Sequence, residues 1–262
     1  MIGVTPALRG QWLSTDLVAH YPGSMPATSS VVGFADHITT VLDIDELRSM
    51  SEALFATGLT QGWPLSEQPG FATAGIRLGN LNLEICSVDQ TQNKLDDWLT
   101  FEPKDLDTLA DDLVKRDISH DPFDAVVVHG HPIYTRVGIP SLATENTALQ
   151  LCHTFYPTRT TGPVAPENSA GIKQVTAVHV GADSVHLKAL RKLMAPRDWQ
   201  DSITFAEGPP LNVSAASQLE VQGLTVSAAD PAHAARELVA SGMSPVDKHS
   251  VRVGSLTLTI ES

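Results

Sequence analysis

From residue 31 onward the chain switches repeatedly between a two-residue hydrophobic period and a helical one. Val32 to Leu42 alternates and is rich in β-branched residues, which predicts a strand; Asp45 to Thr57 carries its apolar residues at helical spacing. A loop rich in Gly and Pro follows, and then Phe71 to Leu78 and Leu81 to Val88 read as strands. The order returns with a strand at Trp98 to Phe101, a helix at Leu106 to Arg116 opened by Pro103, and strands near Ala125 to Val128, Tyr134 to Val137 and Ala148 to Phe155. A third set runs from Val175 through a helix at Val185 to Met194 to Ala215, and a fourth from Leu219 through a helix at Pro231 to Ala240 to Ser262. The pattern predicts an α+β chain of four βαβββ units.

The repeat is visible at the level of residues. IRLGNLNLEICS (76–87) and VRVGSLTLTIES (251–262) match without gaps at six of twelve positions. The helix ends before them match as well: LFATGLT from Leu54 answers LVASGMS from Leu238, with Gly58 and Gly242 where a helix takes a left-handed cap. Residues 1–30 contain Pro, Gly and a Ser/Thr cluster without periodicity and predict an irregular arm. Segment 161–171 (TGPVAPENSAG) has the composition of a connection. The expected organisation is therefore an arm (1–30), a first pair of units (31–160), a linker (161–171) and a shorter second pair (172–262).

Composition narrows the function classes. Lys and Arg number 17 against 30 Asp and Glu, a formal charge of −13, which opposes binding to nucleic acid or anionic membranes. No apolar run approaches the ~18 residues of a membrane span, and the N-terminal stretch lacks the basic and then apolar pattern of a secretion signal. Cys86 and Cys152 are too few for a disulfide framework and sit in apolar runs. These features predict a cytoplasmic protein without nucleic-acid or membrane partners; four units that can pair within one chain allow a monomer, and exposed sheet edges a homodimer. There is no GxSxG, P-loop, strand-borne GxGxxG, CxxC or HExxH, so hydrolase, nucleotide and zinc-finger readings lose support.

The run FADHITTVLDIDEL, a helix, Gly70-Phe71 and then LGNLNLEICSVD resembles the first unit of glyoxalase-like proteins of the vicinal oxygen chelate superfamily (glyoxalase/bleomycin resistance/extradiol dioxygenase). Asp105-Leu106-Asp107 answers Asp43-Ile44-Asp45 at the start of the second helix. The resemblance implies paired, cupped mixed sheets with helices on their outer faces, and either two ligand pockets or one working pocket and one support. It also implies that His37, on the first strand, and Glu84, on the fourth, are ligands of one divalent metal ion (Zn, Fe, Mn or Ni). Strand alternation agrees in one respect: Leu81, Leu83 and Ile85 face the helix, leaving Asn82, Glu84 and Cys86 towards the cup.

The second unit departs from the family pattern. Counting back from the helix start puts Leu99 at the position of His37, and aligning LQLC (149–152) with LNLE (81–84) puts Cys152 at that of Glu84. A thiolate can bind zinc, while a neutral Cys packs as a small hydrophobe. In the second half Thr259 takes the place of Glu84, and Ala177 and Leu224 that of His37, with His179 and Glu261 as a shifted pair. His129 and His131 flank a glycine and are further metal or ligand candidates; Asn82, Leu99, Gln150, Arg136 and Trp63 complete the expected substrate wall. Two functions stay open. One is a metal-dependent lyase, isomerase or dioxygenase acting on a small oxygenated metabolite in the first cup. The other is a metal-free protein that binds or sequesters a small molecule with a degenerate metal site.

Overall fold

The protein is described here by a computed structural model, in which residues 30–89, 95–128, 131–155 and 168–262 are described. The first unit consists of β1 (Val32–Val41), α1 (Ile44–Ala56), β2 (Gln61–Gln68), β3 (Phe71–Arg77) and β4 (Asn82–Val88). The second has β5 (Asp97–Pro103), α2 (Leu106–Lys115), β6 (Asp124–Val128), β7 (His131–Ala143) and β8 (Thr147–Thr154). The third has β9 (Ile172–Ala182), α3 (Ser184–Met194), β10 (Ser202–Ile203) and β11 (Leu211–Ala215). The fourth has β12 (Glu220–Ala228), α4 (Pro231–Ala240), β13 (Ser244–Asp247), β14 (Ser250–Val253) and β15 (Leu256–Glu261). All four predicted units are present, the third with one strand fewer after its helix. The predicted arm and residues 161–167 of the predicted linker lie outside the described residues, apart from Ser30.

Each helix starts on an aspartate. Asp43 accepts from the Asp45 N–H, Asp105 from Asp107, Asp183 from Val185 and His186, and Asp230 from His233. Each such cap satisfies an N–H that the helix cannot pair internally, a contribution of about 1 kcal/mol. The donated N–H groups hold the Asp183 and Asp230 carboxyls below the usual range. From the cap onward one stripe is buried: Leu47, Met50 and Leu54 in α1, Leu109 and Leu113 in α2, Leu190, Leu193 and Met194 in α3, and Ala234, Ala235 and Leu238 in α4.

The strands form two mixed sheets, β2-β3-β4-β1-β5-β8-β7-β6 and β10-β11-β9-β12-β15-β14-β13. Within a unit the last strand lies parallel to the first: β4 on β1, β8 on β5, β11 on β9 and β15 on β12. Two units then join through antiparallel first strands, β1 with β5 and β9 with β12. The sequence repeat is a structural repeat. Ile76 pairs with Leu83 and Arg77 with Asn82, as Val251 pairs with Leu258 and Arg252 with Thr257; Gly79 and Gly254 turn both hairpins at positive φ.

One prediction needs correction. The segment read as a Gly- and Pro-rich loop contains β2, an edge strand whose register shifts between Trp63 and Ser66 around Pro64. Proline lacks the N–H of a ladder and is tolerated at such an edge, where a polar, half-exposed strand shows no hydrophobic period.

The two sheets meet through an apolar seam in which Leu99 and Leu149 of the first face Val180, Leu211, Leu219 and Val221 of the second. The Val175 N–H donates to the Leu78 carbonyl (3.1 Å) and to Asn80 Oδ1 (3.0 Å), next to the Gly79 turn. Gly79 has φ 82°, and a methyl there would lie 2.5 Å from the Lys173 carbonyl oxygen. Gly79→Ala therefore strains both the turn and the seam, and is expected to lower unfolding free energy by about 2 kcal/mol or more in denaturant titration. A loss under about 0.5 kcal/mol would show that the two sheets do not press on this turn.

Asp97 is the buried charge of this junction. It is 4% exposed, accepts from Thr147 Oγ1 (2.9 Å), and has the Ser255 hydroxyl and the Val221 N–H as further donors. Burial outweighs these donors and pushes the carboxyl up to about 6. The fold thus holds this proton more tightly than the unfolded chain, so the contribution of Asp97 to stability is greatest at low pH and declines as pH rises from about 4 to about 6. Between pH 4 and pH 7 the wild type is expected to lose on the order of 2–3 kcal/mol relative to Asp97→Asn, measured by chemical denaturation. A difference between the two proteins that does not change with pH would refute this assignment.

Candidate ligand-binding site in the first cup

The face of the first sheet that carries His37, Thr39, Glu84 and Cys86 lies opposite the face covered by α1, which packs on β3 and β4. Parallel register sets His37 beside Asn82 and Thr39 beside Glu84. Glu84 is 8% exposed, and both its oxygens are engaged: Thr39 Oγ1 donates to Oε2 (2.5 Å) and Thr73 Oγ1 to Oε1 (2.5 Å). Thr73 in turn accepts from Trp63 Nε1 (3.1 Å). A buried carboxylate is stable only with such donors, and hydroxyls are the donors that two neighbouring strands bring to it.

His37 stands between two carboxylates. Its Nδ1 is 2.8 Å from Asp36 Oδ2, and its Nε2 is 3.6 Å from Glu84 Oε2. The Asp36 contact orients the ring, and the edge of the Trp63 indole meets it at 5.9 Å between centroids. Trp63 reaches this place from the edge strand because Gly75, its register partner, has no side chain; any Cβ there would collide with the indole.

The second unit supplies the other wall. Thr100 faces His37 across β1 and β5, and Gln150 Nε2 donates to its hydroxyl (2.9 Å). Strand register thus makes Thr100, beside Gln150, the counterpart of His37, beside Asn82. This corrects the assignment of Leu99 to that position. Leu99 is 2% exposed and packs in the seam between the sheets, so it has no part in the ligand wall. The same slip occurs in the fourth unit, where Gly223 and not Leu224 pairs as His37 does. The reason is that the passage from strand to helix differs in length: the chain takes six residues from this position to the helix cap in the first unit, five in the second and seven in the fourth, so a count back from the cap misses the register.

Cys152 is buried and pairs across β7 and β8 with Arg136, whose Nε (3.0 Å) and Nη2 (2.9 Å) reach Asp124 Oδ2. Tyr134 precedes Arg136 on the same wall, and burial raises its hydroxyl. Trp98, Arg136 and Gln150 line a cavity of about 620 Å³ with Phe71 and Val88. Asn82 lines a different one, of about 800 Å³, between the sheets. Of the histidine pair, His129 lies outside the described residues, and His131 is exposed in the edge hairpin β6–β7. Sequence reasoning missed Thr39, Thr73 and Tyr134. Thr39 had a signal in its parity with His37; Thr73 and Tyr134 come from strands that meet Glu84 only in three dimensions.

The described residues do not complete a metal centre. Metal ions of the expected kinds take three or four protein donors. Among the described residues no three His, Cys, Asp or Glu side chains converge, and His37 with Glu84 stops at two. Cys152 belongs to no such group among the described residues, and without a metal, burial and then the carboxylates of Asp36 and Glu102 push its thiol up to about 12. In the second sheet His179 Nε2 is held by Thr225 Oγ1 (2.7 Å), and Glu261 accepts from Thr176 (2.7 Å). Burial lowers the His179 pKa.

No protein-family model matches the chain, and no curated protein sequence matches it. Solved structures do. A hypothetical protein from Staphylococcus aureus superposes with a TM-score of 0.57 at 11% identity, over 87% of this chain and 98% of its own. A mutant of 4-hydroxymandelate synthase from Streptomyces coelicolor gives 0.51 at 13% identity, over 84% and 76%. A xylose isomerase-like TIM barrel/4-hydroxyphenylpyruvate dioxygenase fusion protein gives 0.52 at 9% identity, over 85% of this chain and 42% of that longer one. The chain has the fold of the vicinal oxygen chelate superfamily. At these identities the likeness carries the architecture and not an activity, because the vicinal oxygen chelate fold, like other widely used folds, acquires its chemistry from the site. No helix among the described residues is long and apolar enough to cross a membrane.

Both cysteines are expected to resist alkylation. Burial raises the Cys86 thiol further than that of Cys152, with Glu84 adding to the effect. At pH 8 iodoacetamide followed by mass spectrometry should label neither in the folded protein and both in denaturant. Rapid labelling of Cys152 in the native state would restore it as a thiolate ligand.

Proposed function

We propose that the protein binds a small molecule in the first cup without a resident metal ion, using Glu84 as the buried acceptor for a hydrogen-bond donor on the ligand. The observation that supports this reading is the donor set: of the four positions that two units present to the cup, His37 and Glu84 can ligate, whereas Thr100 cannot and Cys152 belongs to no group of three donors among the described residues. Trp63 and Trp98 give the ligand apolar surface, and Gln150 and Arg136 give it polar contacts on the opposite wall. The carboxylate, held by Thr39 and Thr73, needs no reorganisation to receive a donor.

A second reading, a metal-dependent lyase, isomerase or dioxygenase, is favoured by one geometric fact. His37 Nε2 and Glu84 Oε2 are 3.6 Å apart, a separation that two ligands of one ion can have, and Asp36 stands behind His37 as outer partners of metal-bound histidines do. Metal analysis of untagged protein separates the readings, followed by calorimetric titration with Zn, Fe(II), Mn, Co and Ni. The binding reading expects substoichiometric metal and no heat that depends on His37 or Glu84. One equivalent of metal, lost in both His37→Ala and Glu84→Ala, would overturn it.

A further inference from the structure

We propose that the cleft between the two sheets is a second binding site, suited to a neutral, polyhydroxylated small molecule of sugar size. The cleft has a volume of about 800 Å³, larger than the cavity in the first cup, and falls in the range of small-molecule sites. It is built by both sheets. Phe34, Asp36 and the Gly79 turn come from the first; Lys173 and Gln174 on β9 and Ser227 on β12 come from the second.

Charge and hydrogen-bonding chemistry define the ligand. Among the lining residues Arg77 and Lys173 bring two positive charges, and Asp36 and Glu207 two negative ones, so these walls carry no formal net charge that would select an ion of one sign. Of three carboxamides, Asn82 and Gln174 each bring a donor and an acceptor, and Asn80 brings its N–H₂ donors. A hydroxyl is also both at once, and a row of hydroxyls matches such a wall better than any single charged group. Asn80 Oδ1 accepts from the Val175 N–H (3.0 Å), which fixes the direction of its N–H₂ end. Phe34 adds one ring for the C–H face that a polyol retains. The cleft also reaches the first cup, because Asp36 lines it while its Oδ2 meets His37 Nδ1. The inference does not depend on what the cup binds, since Lys173 and Gln174 touch neither Glu84 nor Trp63.

The test is calorimetry and thermal denaturation of the full chain with D-glucose, D-ribose and sucrose as probes, and glycine and acetate as charged controls. One of the sugars is expected to bind saturably, with equal affinity in Glu84→Gln. In the double variant Lys173→Ala, Gln174→Ala, two exposed positions that leave the core intact, affinity should fall by about tenfold or more. General stabilisation by excluded sugars does not saturate and does not distinguish the variants. No saturable response to any sugar, equal affinity in the double variant, or binding of glycine or acetate in place of a sugar would each overturn the proposal.

Discussion

The parallel pairing of the first and last strands of each unit is the constraint on which everything else rests. A parallel pair cannot be closed by a tight turn, so the helix and remaining strands of the unit serve as the crossover. The pairing sets Thr39 beside Glu84, Thr100 beside Gln150 and Thr225 beside Thr259, and gives each sheet its cup positions. Antiparallel contact between first strands then joins the units in pairs, bringing the His37 position of one against the Thr100 position of the next.

Only one of these equivalent places holds a buried carboxylate. Removing a carboxylate from water is costly, and at Glu84 that cost is offset by the Thr39 and Thr73 hydroxyls, with Trp63 bound to the second of them. The other units keep the backbone without the charge: Cys152 is a buried neutral thiol, and Thr259 is an exposed hydroxyl on β15. The architecture therefore does not require a carboxylate at this place. Its presence in the first unit, with three side chains arranged to support it, sets that cup apart from the equivalent places in the other units.

The elements were legible where local physics decides them. Asp43, Asp105, Asp183 and Asp230 announce the helices, and the match between residues 76–87 and 251–262 announces a hairpin whose register then repeats. Strand β2 was not legible, because an edge strand carrying Pro64 has neither a hydrophobic period nor a full set of donors. His37 and Glu84 were paired by the resemblance to glyoxalase-like proteins, strand parity supporting only the direction of Glu84, and the structure sets them 3.6 Å apart. Thr100 and Gly223 were not legible, because their distance to the helix cap is one residue shorter and one longer than that of His37, and a one-residue miscount changes which face a side chain occupies. Trp63 was already a candidate in the sequence, whereas Thr73 enters the site through the pairing of β3 with β4 and Tyr134 from the second unit, and no short window contains that information.

The fate of Leu99 shows what the second sheet does for the first. Being on the face opposite Thr100, it packs with Leu149 against Leu211, Leu219 and Val221, so the outer face of β5 and β8 is covered by the other sheet. Close packing holds side chains in single arrangements. The apolar seam on one face of these strands therefore fixes Thr100, Gln150 and Cys152 on the other, and Asp97 at its end ties β5 to β8 through Thr147 and to β12 through Val221. The second sheet carries no comparable carboxylate site of its own among the described residues, yet it sets the rigidity of one wall of the cup and closes the cleft that reaches Asp36.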